Sequence, residues 1–243
     1  MRLRKMMIMA VAAGVLVAGC GGTSGRSSGS SGSNGIANRS ASQIVAAAAS
    51  AMKSARSVTV SGSISSQKGA FQIKNETIFA IGDAIATFAM NGVSAQLIEI
   101  GSTEYLNAPA ALWTAGGISA AVAARLSGIW VKIPTTLPES LRHELSLSFQ
   151  ASRIAHAART WSKGGTNTID GQAVIAITSA EHAALYVATV GTPYPVRAVV
   201  MGPNGGTLTF SNWNGGSDPS APAGAKTAQQ LGLVPSAATT GTS

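Results

Sequence analysis

The sequence predicts an α+β domain in which helices cover one face of an antiparallel sheet of about ten or eleven strands. Three observations carry this prediction. Alternating apolar and polar residues, typical of half-buried strands, begin after residue 56 and return after residue 165. Two-residue turns of the kind that joins hairpin strands separate several of these runs. Segments with helical periodicity precede the first group of strands and divide it from the second.

Residues 1–19 have the pattern of a secretory signal peptide. Arg2, Arg4 and Lys5 precede an apolar run that ends in small residues before Cys20. The run is shorter than the roughly 20 apolar residues that a membrane-spanning helix needs. Cys20 is the only cysteine, and the ending Val-Ala-Gly-Cys is similar to the bacterial lipobox, in which the cysteine receives a diacylglycerol. We expect a lipoprotein lipidated at Cys20; the alternative is an ordinary cleaved signal with an incidental cysteine.

Composition places one folded domain between two segments of low complexity. Residues 20–38 are rich in Gly and Ser and predict a flexible tether behind the lipidated cysteine. Residues 215–243 predict a disordered tail, with at most a short helical turn at 227–231. The domain then covers residues 39–214, a length that suits a single hydrophobic core.

The charge distribution argues against nucleic acid as a partner. Of the 17 Lys and Arg residues, three lie in the signal segment, so 14 remain against 9 Asp and Glu, a net charge of +5. These cations are scattered, with no basic run and no interleaved aromatic residues. A mild attraction to anionic lipid headgroups is the better interpretation.

The first half of the domain predicts a helix followed by a five-strand antiparallel meander. Ser40 and Gln43 form a capping-box pattern that starts a helix reaching to Arg56. Asn91-Gly92 predicts a tight hairpin. The expected strands are residues 57–66, 71–81, 84–90, 93–100 and 103–106.

The second half alternates helices and strands. A helical turn from Pro109 is broken at Gly116-Gly117, and a second one at residues 119–126 ends at Gly128. After strand 129–133, helices are expected behind Thr136 and through Ile154, Ala158 and Trp161 as far as Gly164-Gly165. The remaining strands are 166–169, 172–178, 185–190, 196–201 and 207–213, with a hairpin turn at Asp170-Gly171.

Several strands are apolar on both faces, as in residues 84–90 and 173–177. Such strands have both faces covered. One face must carry the helices, and the other either closes on itself or lines a cavity. Small residues such as Ala84, Ala86 and Ala176 provide room without polarity.

The order of elements resembles the LolA-like half-barrel lipoproteins, which include actinobacterial lipid carriers of the LppX/LprAFG type. The resemblance spans residues 40–214. It is carried by Tyr105, Trp113 and the runs 128–134 (GIWVKIP), 171–174 (GQAV), 185–188 (LYVA), 191–197 (GTPYPVR) and 206–211 (GTLTFS). It implies a curved half-barrel sheet with helices on its concave face, enclosing an apolar cavity that accepts acyl chains.

Five residues are candidates for contact with such a ligand. Ala86 and Ala176 are small residues in two-faced apolar strands, and Phe88 lies two residues beyond Ala86. Tyr194, between two prolines, either fills a stiff turn or stands at the cavity mouth. Arg197 either pairs with a headgroup phosphate or faces solvent.

No catalytic or metal-binding motif is present. His143, His156 and His182 lie on unrelated elements at spacings that do not suit shared metal ligation. Glu99 and Glu104 are either a carboxylate pair of the kind glycosidases use or two exposed strand residues. We therefore expect no enzyme and no cofactor or metal ion.

Two classes of function follow from this sequence. The first is a membrane-anchored extracytoplasmic protein that binds or shuttles lipid or acyl chains. The second is an envelope interaction or sensor module of the same fold with a collapsed core, whose partner would be another envelope protein.

Overall fold

The computed structural model describes residues 32–66, 69–80, 82–134, 147, 151–152, 161–180, 183–202 and 205–232. A short 3-10 turn spans Ile36–Asn38, and the helices within these ranges are α1 (Ala41–Ser54), α2 (Ala110–Ala115) and α3 (Ala120–Leu126). The strands are β1 (Ser57–Ser66), β2 (Gly69–Phe79), β3 (Ala84–Met90), β4 (Val93–Ile100), β5 (Thr103–Asn107), β6 (Val131–Pro134), β7 (Trp161–Ile169), β8 (Gln172–Ser179), β9 (Ala183–Ala188), β10 (Pro195–Val200), β11 (Gly206–Ser211) and β12 (Lys226–Thr227).

The twelve described strands form one open sheet in the order β12-β6-β5-β4-β3-β2-β1-β11-β10-β9-β8-β7. The predicted meander of β1 to β5 is confirmed, and β11 pairs with β1 to join the two halves. Neighbours are antiparallel except β12, which runs parallel to β6. The α+β class and the mostly antiparallel sheet are therefore as predicted, with one strand more than the ten or eleven expected.

Both predicted two-residue hairpins are present with positive φ at each central residue. The φ values are 50° and 82° at Asn91 and Gly92, and 49° and 80° at Asp170 and Gly171. This conformation matches the right-handed twist of paired strands, and Asn, Asp and Gly adopt it with the least strain. These two turns fix the registers of β3 against β4 and of β7 against β8.

The helices begin and end close to their predicted positions. The Oγ of Ser40 accepts the backbone N–H of Gln43 at 3.3 Å, and the Oε1 of Gln43 accepts the N–H of Ser40 at 3.1 Å, completing the capping box. Pro109 is the N-cap of α2, Gly116 ends it, and Gly128 follows α3 with a φ of 73°.

The folded part begins before residue 39, which corrects the predicted tether boundary. Ile36 is buried in the core cluster beneath α1. The backbone N–H of Asn34 donates to the carbonyl of Thr189 at 2.8 Å, and Ser33 forms an isolated bridge with Val190. A Gly/Ser-rich composition concealed these contacts because most of them are made by backbone atoms.

The chain after β11 also belongs to the fold, so the expectation of a disordered tail from residue 215 is wrong as far as Gly232. The N–H of Gly216 donates to the Oγ of the buried Ser57 at 3.1 Å. The carbonyl of Gly216 accepts the guanidinium of Arg56 at 2.6 Å. The chain then reaches the opposite edge of the sheet as β12, and Leu231 packs against α3 and β6.

The helical turn expected at residues 227–231 is present. The N–H of Leu231 donates to the carbonyl of Thr227 at 3.1 Å. The Oγ1 of Thr227 accepts the N–H of Gln230, and the Oε1 of Gln230 accepts the N–H of Thr227. This reciprocal pair is the chemistry of a capping box.

One predicted helix end is wrong. Trp161 begins β7 instead of closing a helix, because its ring packs against the core cluster beneath α1. Gly164-Gly165 lies inside β7, at an irregularity in its pairing with β8. A Cβ on Gly164 would lie 3.2 Å from the Cβ of Ala176, so glycine permits this close approach. The helices expected behind Thr136 and through residues 154 and 158 lie outside the described residues.

The helices define the two faces of the sheet. Directly opposed residues of neighbouring strands share a face. One such row begins beneath α1 and runs through Leu185, Ala198, Leu208, Gly62, Ile73, Phe88 and Ala95. A second row runs through Ala86, Leu97, Leu106 and Val131 and ends against α3. Because Ala86 and Phe88 are two residues apart in β3, α1 and α3 lie on the same side, called the helix face below; the other side is the outer face.

Candidate functional site

The candidate site is the middle of the helix face, where β2, β3 and β4 lie between the regions covered by α1 and by α3. Ala84, Ala86 and Ala95 present their small side chains here and are buried. Phe88 is half-buried between its cross-strand partners Ile73 and Ala95. These alanines and Phe88 give this part of the sheet an apolar lining, a chemistry that can bind a ligand by shape and burial.

The structure separates the five candidate ligand-binding residues into three places. Ala86 and Phe88 lie on the helix face. Ala176 and Arg197 lie on the outer face, because both are directly opposed to Tyr186 in the row of residues that alternates with Leu185. Alternation along a strand predicts two faces without saying which one the helices cover, so the sequence could not distinguish Ala86 from Ala176.

Tyr194 packs against another aromatic residue. Its ring stacks on that of Trp213, with centroids 4.3 Å apart and planes 4° from parallel. Its hydroxyl accepts a hydrogen bond from the Nδ2 of Asn214 at 2.9 Å. The indole N–H of Trp213 in turn donates to the carbonyl of Pro195 at 3.2 Å. One ring face and the hydroxyl are thus engaged in packing, which favours the turn-filling interpretation of Tyr194.

Arg197 is paired on the outer face. Its guanidinium lies 2.9 Å from a carboxylate oxygen of Asp170, whose side chain is 71% exposed. An ion pair this exposed contributes at most about 1 kcal/mol. The arrangement is that of a surface residue that links β10 to the β7–β8 hairpin.

Carboxylates border the apolar middle of the helix face, and one of them, Glu76, was not singled out by the sequence analysis. Glu99 and Glu104 are cross-strand partners, and Glu76 is opposed to Ala86. Glu99 is buried, so the interpretation of both β4–β5 glutamates as exposed strand residues is wrong for Glu99. Each of the three makes a polar or electrostatic contact. In each strand the glutamate lies an even number of residues from apolar residues on the same face, and this spacing could have placed it there.

Within the described ranges, no three His, Cys, Asp or Glu side chains are grouped so as to hold a metal ion. No helix in this part of the chain is long and apolar enough to cross a membrane. Cys20 and the three histidines, His143, His156 and His182, lie outside these ranges.

Comparison with solved structures decides the fold. LprF from Mycobacterium bovis superposes with a TM-score of 0.53 at 15% sequence identity, over 76% of this chain and 97% of that one. The chain has the LprF fold. The lipoprotein LppX from Mycobacterium tuberculosis is also similar, at 16% identity over 73% of this chain and 97% of that one, with a TM-score of 0.47.

The resemblance to half-barrel lipoproteins of the LppX/LprAFG type is thereby confirmed at the level of the fold. No family model matches the sequence, and no curated protein is found as a relative. At 15% sequence identity, what this chain and LprF have in common is the arrangement of the sheet and helices.

Proposed function

We propose that this chain is a membrane-anchored extracytoplasmic lipoprotein that binds acyl chains on the helix face and shuttles them in the envelope. The observation that carries the proposal is the row of apolar side chains formed by Ile73, Phe88 and Ala95 across β2, β3 and β4, between α1 and α3. The lipobox-like ending at Cys20 supports the anchor, and the LprF fold supports the half-barrel architecture in which we place the ligand.

The driving force for such binding is burial of methylene groups. An acyl chain gains about 0.8 kcal/mol for each CH₂ removed from water, so a chain of about fourteen carbons needs few polar contacts. In this proposal an acyl chain lies over the small side chains of Ala84, Ala86 and Ala95, beside the ring of Phe88. The outer-face residues Ala176 and Arg197 have no place in this binding mode.

A second function is favoured by the burial of the same alanines. Ala84, Ala86 and Ala95 are only 4–5% exposed, as in the core of a module without a ligand. Such a module would act in the envelope through a protein partner, as an interaction or sensor domain. Measuring whether the chain binds a lipid ligand distinguishes the two functions.

Two neighbouring residues of β3 provide a matched test. Ala86 faces the helices, whereas Ile85 lies on the outer face and is 37% exposed. Ala86→Trp should reduce the uptake of a fluorescent fatty acid probe several-fold because the indole would occupy the position proposed for the acyl chain. Ile85→Trp adds a ring to the same strand on the other side and should bind the probe as the unmodified chain does.

The measurement is a probe titration of each purified variant, with a circular dichroism melt to verify that both are folded. Equal binding by the two variants would place the ligand away from the middle of the helix face. Absence of binding by the unmodified chain at micromolar probe would favour the interaction module instead.

A further inference from the structure

The described chain begins at one end of the sheet, where Asn34 is held firmly. Its backbone N–H donates to the carbonyl of Thr189, and its side-chain Nδ2 donates to the carbonyls of Ala188 and Gly191 at 3.0 and 2.9 Å. Ser33 pairs with Val190 beside it. The point where the N-terminal segment leaves the domain is therefore fixed next to the loop 189–194, which joins β9 to β10.

This loop has an uncharged surface. The sequence of residues 189–194 is TVGTPY, with no Asp, Glu, Lys, Arg or His. Val190 is 49% exposed, and Gly191 and Thr192 are exposed beside it. A single exposed apolar residue is common on protein surfaces. Val190 is a candidate for membrane contact because it lies next to the tether.

The length of the tether limits how far this end can lie from its anchor. Roughly eleven residues, mostly Gly and Ser, separate Cys20 from Gly32. At about 3.3–3.6 Å per residue, the chain from Cys20 to Gly32 can reach at most about 40 Å. The opposite end of the sheet, marked by Met201 after β10, lies about 20 Å further away along the six residues of that strand at about 3.3 Å each.

We propose that the loop 189–194 rests on the bilayer that carries the Cys20 anchor, with Val190 in the headgroup region. The proposal rests on the lipid anchor of the proposed function. The tether keeps the loop at high effective concentration near the membrane, so a weak contact is sufficient for occupancy. Apolar side chains of peripheral proteins typically reach about 5–10 Å into this region, where the exposed residues 190–192 carry no charge to desolvate and Asp170 of the neighbouring hairpin is paired with Arg197.

Val190 and Met201 form a matched pair for testing this orientation. Both are exposed apolar residues, at 49% and 66%, and they lie at opposite ends of β10. Cys20 is the only native cysteine, and its thiol is blocked once it carries a diacylglycerol. Val190→Cys or Met201→Cys in the full lipidated chain therefore accepts a polarity-sensitive nitrobenzoxadiazole label at one site.

The labelled proteins are reconstituted into phosphatidylcholine–phosphatidylglycerol vesicles with and without a doxyl-lipid quencher. The label at position 190 should shift its emission to shorter wavelength and lose intensity with the quencher, while the label at position 201 should do neither. Equal quenching at both positions, stronger quenching at 201, or no quenching at either overturns the proposal.

Separate controls test whether the chain is anchored through Cys20. The unmodified chain should take up no label and should sediment with the vesicles, and Cys20→Ala should abolish sedimentation. If the unmodified chain is labelled, or if Cys20→Ala sediments equally well, the anchor is wrong and this orientation falls with it. If the anchor controls succeed and position 190 is not quenched, the orientation alone is wrong.

Discussion

Replacing Trp213 with alanine should lower the midpoint of thermal unfolding by about 6–12 °C. The indole stacks on Tyr194, and its ring centroid lies 6.4 Å from that of Phe210. It also packs against the buried cluster that contains Met52 of α1. Trp-to-Ala substitutions in packed sites cost about 3–5 kcal/mol, and the lower value applies because Trp213 is partly exposed. For a domain of this size, each kcal/mol shifts the midpoint by about 2–4 °C.

Trp213→Phe is the matched control for this prediction. It keeps an aromatic ring against Tyr194 and removes the indole N–H that donates to Pro195. Loss of that hydrogen bond is worth about 1 kcal/mol, so this variant should melt between the unmodified chain and Trp213→Ala. A melt of Trp213→Ala within 2 °C of the unmodified chain, on the roughly 2–4 °C per kcal/mol scale, would show that the aromatic stack adds nothing to stability.

Truncation after Asn214 should lower the unfolding midpoint by about 6–16 °C, since it removes contacts with an expected worth of about 3–4 kcal/mol. It deletes Gly216, which bonds to Ser57 and Arg56, and it deletes β12 from the edge of β6. It also removes Leu231, which is 9% exposed against α3 and whose carbonyl accepts the guanidinium of Arg125 at 2.6 Å. Burial of such a leucine alone is typically worth about 2–5 kcal/mol.

Truncation after Gly232 is the control, because it keeps every one of these contacts. We expect it to melt within about 2 °C of the full chain, a difference of less than about 1 kcal/mol. The two truncations are compared by thermal melts followed by circular dichroism. Identical melts would restore the sequence-based expectation that everything beyond residue 214 is dispensable.

Local chemistry explains why so much of the sheet was predictable. Asn91-Gly92 and Asp170-Gly171 specify two-residue turns through their tolerance of positive φ, and period-two alternation specifies the strands on either side. Ser40 and Gln43 specify the start of α1 through a reciprocal pair of hydrogen bonds. Each of these signals lies within a few residues of the structure that it determines.

The contacts that sequence reasoning missed join distant segments, and in each of them a backbone carbonyl is the acceptor. Arg56 bonds to the carbonyl of Gly216, and Asn34 bonds to three carbonyls around residues 188–191. Every residue except proline has the same backbone groups, so composition suited to a linker does not exclude such pairing. Strand β12 has only two residues and therefore no alternation to detect.

The candidate site was predictable only in part, for a similar reason. Small apolar residues in β3 and β8 indicated space above a sheet, but the choice between faces depends on long-range register. The row from Leu185 beneath α1 to Phe88 places Ala86 with the helices, whereas Ala176 and Arg197 share the outer face with Tyr186. Sequence spacing within one strand contains no information about the other strands of that row.

Native mass spectrometry of residues 21–243, produced without the anchor, tests the acyl-chain proposal most directly. Because this protein lacks Cys20, any additional mass belongs to a bound ligand and not to the covalent lipid. We expect a species that carries one acyl-containing lipid, released on activation and strongly reduced in Ala86→Trp. Spectra of bare protein alone, with no binding of fatty acyl probes at micromolar concentration, would contradict the account and leave the interaction module as the function of this fold.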